Sequence, residues 1–269
     1  MFTIERSGYY AWLKRIPSER ELANQDLDKK IEASYERHKG RYGSPRIAKE
    51  LRAEGEKCSK HRVARRMRYH LGLRAKTKKK FKATTDSKHH LPVARNVLNR
   101  DFTTTGPDQK YVGDITYIWT EEGWLYLAVI IDIYSRKVVG WSIQPRMNKE
   151  LVCDALMMAL WRRGFPKGVI CHSDRGSQYC SKEYQSMLNL YGLVCSMSRK
   201  GNCWDNAIAE SFFHSLKTEL IYLEKYSTRE IAKQSVFQYI EGYYNKIRRH
   251  SAIGFLAPEV YENQFKMVA

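Results

Sequence analysis

Apolar positions change their period along the chain. From Asp26 to Glu36 they recur at helical spacing, with Ile31, Ser34 and Tyr35 on one face. Ser44-Pro45 opens a second helix. Ser44 is suited to cap it, Pro45 fits its first turn, and Ile47, Ala48 and Leu51 line one side. Gly55 ends that helix, and Ser59 begins a third from Lys60 to His70. Two short helices joined by a glycine-containing turn predict a helix-turn-helix.

After Gly106-Pro107 the period falls to two. Tyr111–Thr120, Trp124–Tyr134 and Lys137–Gln144 are rich in β-branched and aromatic residues. Glu121-Glu122-Gly123 and Ser135-Arg136 supply the turns, so a three-stranded meander is expected. Asn148 caps a helix running to Arg163, with Leu151, Val152, Ala155, Leu156, Ala159 and Leu160 on one stripe. A short strand at Val169–His172, a helix at Ser181–Tyr191, a strand at Leu193–Met197 and a long helix from Asp205 come next. A last helix is expected from Thr228 to about Arg249, ending near Gly254 and Pro258. Three strands, then helix–strand–helix–strand–helix, is the element order of an α/β, ribonuclease-H-like core. The expected domains are a helical DNA-binding region at 1–75, a basic linker at 76–105, a catalytic core at 106–225 and a C-terminal helical segment at 226–269.

Charge changes the picture. The 269 residues carry 47 Lys+Arg against 29 Asp+Glu, a formal net +18. A polyanion is the natural partner for such a surface. Lys57 to Lys82 holds twelve Lys/Arg and no acid, which points to nucleic acid rather than a merely solvated face. The candidate phosphate contacts are Lys60, Arg62, Arg65, Arg66, Arg68, Lys78, Lys79 and Lys80, with Arg175, Lys217, Arg248 and Arg249 further on. The longest apolar stretch, Trp124 to Ile131, is far shorter than the roughly 20 residues of a membrane span. The first residues lack the apolar core of a signal peptide. Six scattered cysteines with no C-x-x-C pair read as reduced thiols. His89-His90 have no ligands at metal-binding spacing.

Three acids stand out by placement. Asp114 lies inside the first strand, where an unpaired charge is costly. Asp174 follows the carboxyl end of a buried strand, where open α/β sheets bind ligands. Glu210 lies on a helix, with Lys217 two turns beyond it. Phosphodiester chemistry needs an oxygen placed in line and charge relief on the leaving oxygen, which two Mg²⁺ supply. Mg²⁺ prefers carboxylate oxygens. Taken singly, each acid also fits an ordinary structural place. Asp132 reads as a partner for Arg136, and Asp205 as a helix cap. Tyr179 and Trp204 are candidates to stack on an unpaired end base, or core residues.

Positions 175 to 209, thirty-five residues, separate Asp174 from Glu210. That spacing resembles the D,D(35)E signature of insertion-sequence transposases and retroviral integrases. GDITYIW around Asp114, IIDIYSRKVVGW around Asp132, HSDRGSQY around Asp174 and GNCWDNAIAESFFHSLKTE around Glu210 all resemble the second-reading-frame (OrfB) transposases of the third insertion-sequence family. So do SGYYAW at Ser7, RYGSPRI at Arg41 and YYNKIRRH at Tyr243. The resemblance implies a DNA transposase that cleaves a strand at the element's end and transfers it. Asp114, Asp174 and Glu210 would be both catalytic and metal-binding, holding two Mg²⁺ for which Mn²⁺ substitutes. Lys217 would contact the transposon end. It further implies double-stranded DNA as partner, a homodimer or larger assembly on DNA, fusion or association with an upstream-frame protein, and a bacterial, nucleoid-associated cytoplasmic setting. No zinc is expected, because the His/Cys domain of retroviral integrases is missing. The rival is an inactive DNA-binding regulator descended from a transposase.

Overall fold

The computed structural model describes residues 5–76, 91–199 and 203–268. The chain divides into two compact units, 1–76 and 77–269.

The first unit is all helical. It comprises α1 (Arg6–Leu13), α2 (Glu19–Arg37), α3 (Ser44–Ala53) and α4 (Lys60–Arg65), the last running into a wider π-type turn, Arg66–His70. α2 starts well before the expected Asp26. Its start is a capping box: the Glu21 N–H donates to Ser18 Oγ, and the Ser18 N–H donates to the Glu21 carboxylate at 2.9 Å. Leu27, Ile31, Ile47, Leu51, Val63 and Met67 are buried. Gly43, not Ser44, takes the cap position of α3. Ser44 is already helical and makes no capping bond, while Pro45 occupies the first turn. Ser59 does cap α4, accepting from the Arg62 N–H at 3.1 Å.

The second unit is built on five strands: β1 (Lys110–Thr120), β2 (Gly123–Asp132), β3 (Val138–Gln144), β4 (Ile170–Ser173) and β5 (Val194–Met197). Their order across the sheet is β3-β2-β1-β4-β5. The first three pair antiparallel, and β4 and β5 add in parallel beside β1. Helices α5 (Lys149–Arg163), α6 (Lys182–Leu190) and α7 (Ala207–Glu219) complete the expected order. Asn148 caps α5 through the Leu151 N–H, and left-handed Gly164 stops it. One face of the sheet packs on α5 and α6 through Ile130, Val139, Ala155, Leu156 and Leu188. The other packs on α7 through Val112, Val129, Phe212 and Leu216.

The chain beyond 225 belongs to that second core. The expected long helix is interrupted: α8 (Arg229–Phe237) loosens into a π-type turn at Gln238–Tyr244, and a further helix, α9 (Pro258–Val268), begins at a proline. Ala232, Val236, Tyr239, Ile240 and Tyr244 are buried against Phe212 and Leu216. Among the described residues no helix is long and apolar enough to cross a membrane. Among the same residues Cys58, Cys153, Cys171, Cys180 and Cys195 are free thiols.

Candidate active site

The parallel pairing of β1 and β4 sets the first two acids side by side. Val112 lies opposite His172. Two residues further along each chain stand Asp114 and Asp174. Adjacent strands run about 4.8 Å apart, so both carboxyls rise at one edge of the sheet. Asp174 Oδ1 accepts from the Gly176 N–H at 2.9 Å. A side chain at Gly176 would crowd both Asp174 Oδ1 and Gln178 Oε1, each 3.0 Å from the place its Cβ would take.

Asp114 accepts from the Ile115 N–H at 2.7 Å. Burial drives its carboxyl well above the usual carboxylate range. The charge of Asp174 pushes the same way, as does that of Glu210, while Lys217 opposes them. Glu210 is exposed on α7, the helix that crosses the sheet above β1. Lys217, two turns on, is buried, with its ammonium 4.9 Å from the ring centre of Tyr117. Burial lowers that ammonium to about 8, and the charge of Asp114 works against the fall. The three acids are thus within electrostatic reach of one another. Among the described residues, no three His, Cys, Asp or Glu side chains form a ready metal-ligand cluster. The donor set suits a hard cation, and a bound cation would relieve the repulsion at Asp114.

The other acids act structurally. Asp132 is fully buried, and its carboxylate accepts from the N–H groups of Asp108 (2.7 Å), Tyr134 (2.7 Å) and Ser135 (3.1 Å). Its cationic neighbour is Arg163 at 3.8 Å. Arg136, the partner expected from sequence, donates its backbone N–H to the Asp132 carbonyl, and the charge of Asp132 also acts on its buried guanidinium. Asp205 is not a helix cap. A 3₁₀ turn, Cys203–Asn206, precedes α7, and buried Asp205 gathers Arg199, Arg100 and Asn96. Tyr179 is buried in the core, edge-on to Tyr184 with ring centres 5.3 Å apart, so it presents no face to a base. The Trp204 side chain lies outside the described residues.

The basic candidates separate into two sets. Lys60, Arg65 and Arg68 are exposed on α4 and its π-type turn. Arg62 donates to Asn24 Oδ1 at 2.8 Å, and Arg66 forks onto Asp28, so both tie α4 to α2. Arg175 donates to the Ser198 carbonyl at 2.7 Å, and Arg249 to the Phe255 carbonyl at 3.1 Å. Arg248, expected to grip DNA, is buried instead: it donates to both oxygens of Glu219 at 2.8–3.1 Å and to Ser215 Oγ at 2.8 Å. Lys78, Lys79, Lys80 and His89-His90 lie outside the described residues.

Three family models match the chain: an HTH-like domain over residues 21–81, and integrase core domains over 104–203 and 210–265. The transposase InsF for insertion sequence IS3A of Escherichia coli is 52% identical over 263 residues, 97% of this chain and 91% of that protein. The chain belongs to this family of insertion-sequence transposases. An uncharacterised 31 kDa protein of insertion element IS600 from Shigella sonnei is 44% identical, spanning 100% of this chain and 98% of its own length. A chain of a simian T-cell lymphotropic virus intasome, in complex with the PP2A regulatory subunit B56 gamma, shares the fold at 15% identity. Its TM-score is 0.50, covering 82% of this chain and 70% of that one. The second unit of this transposase is therefore an integrase-type, ribonuclease-H-like core, and its first unit carries the HTH-like domain.

Proposed function

We propose that this transposase cleaves a DNA strand at the end of its insertion sequence and joins the freed 3′-OH to a second strand, with Asp114, Asp174 and Glu210 as the catalytic carboxylates. One observation supports the reading: in a chain of this family, Asp114 and Asp174 each stand two residues beyond the paired Val112 and His172, and the charge of Glu210, on α7, acts on Asp114. Two Mg²⁺, or Mn²⁺ in their place, would supply in-line positioning of the attacking oxygen and charge relief on the leaving oxygen. Asp114 and Asp174 would hold them from the sheet, and Glu210 from the helix. Lys217 meets phosphate beside Asp114, its ammonium kept in place over Tyr117. The exposed face of α4 binds duplex DNA. Two ends handled together call for a dimer or larger assembly, and an upstream-frame protein is the expected companion. The setting is the bacterial cytoplasm, at the nucleoid.

The rival reading, a DNA-binding regulator without catalysis, rests on the HTH-like domain alone. A strand-cleavage and joining assay on the element's own end DNA separates the two, with wild type beside Glu210→Gln, in Mg²⁺ and in Mn²⁺. Metal-dependent nicking and joining by wild type, lost in a variant that still binds DNA, supports the transposase chemistry. Equal inactivity of both proteins, with the upstream-frame protein supplied, supports the regulator.

A further inference from the structure

The β1–β2 hairpin ends in an aromatic cluster that the core does not use. Trp119 pairs with Trp124 across the strands, one step before the turn. Their ring centres are 4.8 Å apart at 73°, and Tyr117 stands edge-on to Trp124 at 5.1 Å. Cross-strand aromatic pairs do stabilise hairpins. Yet Trp119 is 57% exposed and Trp124 44% exposed, leaving large indole faces in water. From this tip two contacts and a charge interaction lead inward. Trp124 touches Tyr117, Tyr117 holds the Lys217 ammonium, and Lys217 is electrostatically coupled to Asp114.

Cations accompany the aromatics. Lys217 lies at the inner end. At the outer end an Arg229 nitrogen approaches within 3.2 Å of the place a Cβ on Gly123 would take. Of the turn's two acids, Glu122 is engaged, accepting from the Arg229 N–H at 2.8 Å at the start of α8. Rings with exposed faces beside cations are what single-stranded nucleic acid requires. Bases stack on the rings while the phosphates meet the cations. Along an extended strand, the five steps from Asp114 to Trp119 span about 17 Å. Alternation sets Asp114 and the two tryptophans on opposite sides of β1, so a strand a few nucleotides long would reach both by crossing the edge of β1 beyond Val112, where β4 no longer pairs with it and Lys217 meets Tyr117.

We propose that Trp119 and Trp124 form a stacking platform for unpaired bases of the DNA strand whose phosphate lies at Asp114. The transposase would thereby prefer DNA ends whose terminal nucleotides are splayed. The inference rests on the proposed active site for which strand is held, but its test does not depend on catalysis.

The test compares binding of full-length protein, in EDTA, to two duplexes of the element's terminal sequence. One is fully paired; the other has its last few nucleotides mismatched. Wild type is expected to favour the splayed duplex, and Trp119→Ala/Trp124→Ala to lose roughly tenfold of that preference for each stacked base. Trp119→Phe/Trp124→Phe keeps ring faces and is expected to keep most of it. A 2-aminopurine at an unpaired position is expected to be quenched when wild type binds, a readout that needs no variant to fold. Glu210→Gln should keep the preference, so a failure of the catalytic reading would leave this result standing. Equal binding of both duplexes by wild type with unchanged 2-aminopurine emission overturns the proposal. So does a tryptophan variant that sediments as a smaller species yet keeps the preference, which would make the cluster a contact between copies of this chain.

Discussion

Asp205 accepts three hydrogen bonds from Arg199: one from its backbone N–H at 2.9 Å and two from its guanidinium, at 3.1 and 3.0 Å. Arg100 and Asn96 donate to the same carboxylate at 2.9 Å each. The residue is wholly buried, five positions before Glu210. It therefore fixes the turn from which α7 departs.

The Arg199 hydrogen bonds hold the Asp205 carboxyl well below the usual carboxylate range, against the effect of burial. A depressed acid contributes stability that is present above its unfolded pKa, about 3.9, and is lost as pH falls toward the folded value. Wild type should thus lose stability below about pH 4 more steeply than Asp205→Asn, which starts lower at pH 7. Thermal melts from pH 7 to pH 2 measure this, and parallel curves for the two proteins would refute it.

Arg248→Ala should destabilise the second unit by about 3–5 kcal/mol, because it leaves the Glu219 charge buried without its partner. Guanidinium unfolding monitored by the unit's tryptophans reads the loss directly. The salt slope of DNA binding should stay as in wild type. A drop in that slope with little loss of stability would return Arg248 to the DNA surface.

Gly140 lies where β3 meets α5. A Cβ there would stand 2.1 Å from the Ala155 carbonyl oxygen and 2.7 Å from the Ala159 nitrogen. Both are backbone atoms of a helix and cannot swing aside. Gly140→Ala should therefore cost more than about 2 kcal/mol, through strain rather than lost contacts. Ala159→Gly should not rescue it, since the closest atom belongs to Ala155. Melting temperatures of the single and double variants decide the point.

Lys60, Arg65 and Arg68 are exposed, whereas Arg62 and Arg66 are tied to α2. Replacing the first three with alanine should lower the slope of log K against log salt by about 1 for each phosphate contact removed. Melting should change little. Arg66→Ala should instead lower the melting temperature of the first unit, by releasing Asp28. The two effects separate when binding is titrated against salt and stability is followed in parallel. A triple variant with an unaltered slope would move the DNA contact off α4.

Much of the second unit was legible because local signals agreed. The alternation of β1, the Asn148 cap and the Gly164 stop all mark element ends in a few residues each. The signature acids stand out through their spacing, and two of them, Asp114 and Asp174, fall two residues beyond the paired Val112 and His172. The pairing of Val112 with His172 was not legible, because it joins strands about 60 positions apart that share no local pattern. Arg248 misleads for a related reason. Within Arg-Arg-His it reads as a phosphate contact for DNA, and nothing nearby in sequence shows that Glu219, 29 positions earlier, is buried against it. Pro258 reads as a helix stop, yet it begins α9. Proline suits either end of a helix, and here Val260 to Phe265 supply the turns that make it a start.

The Glu219–Arg248 pair also bears on the order in which the core is completed. Glu219 leaves the ribosome well before Arg248, and until the arginine arrives α7 must carry a carboxylate with no counter-charge in a site built to exclude water. Beyond its packing on the sheet, the helix that bears Glu210 gains this polar anchor only once the last part of the core has been made. A chain that stops before Arg248 carries all three acids but lacks this anchor of α7.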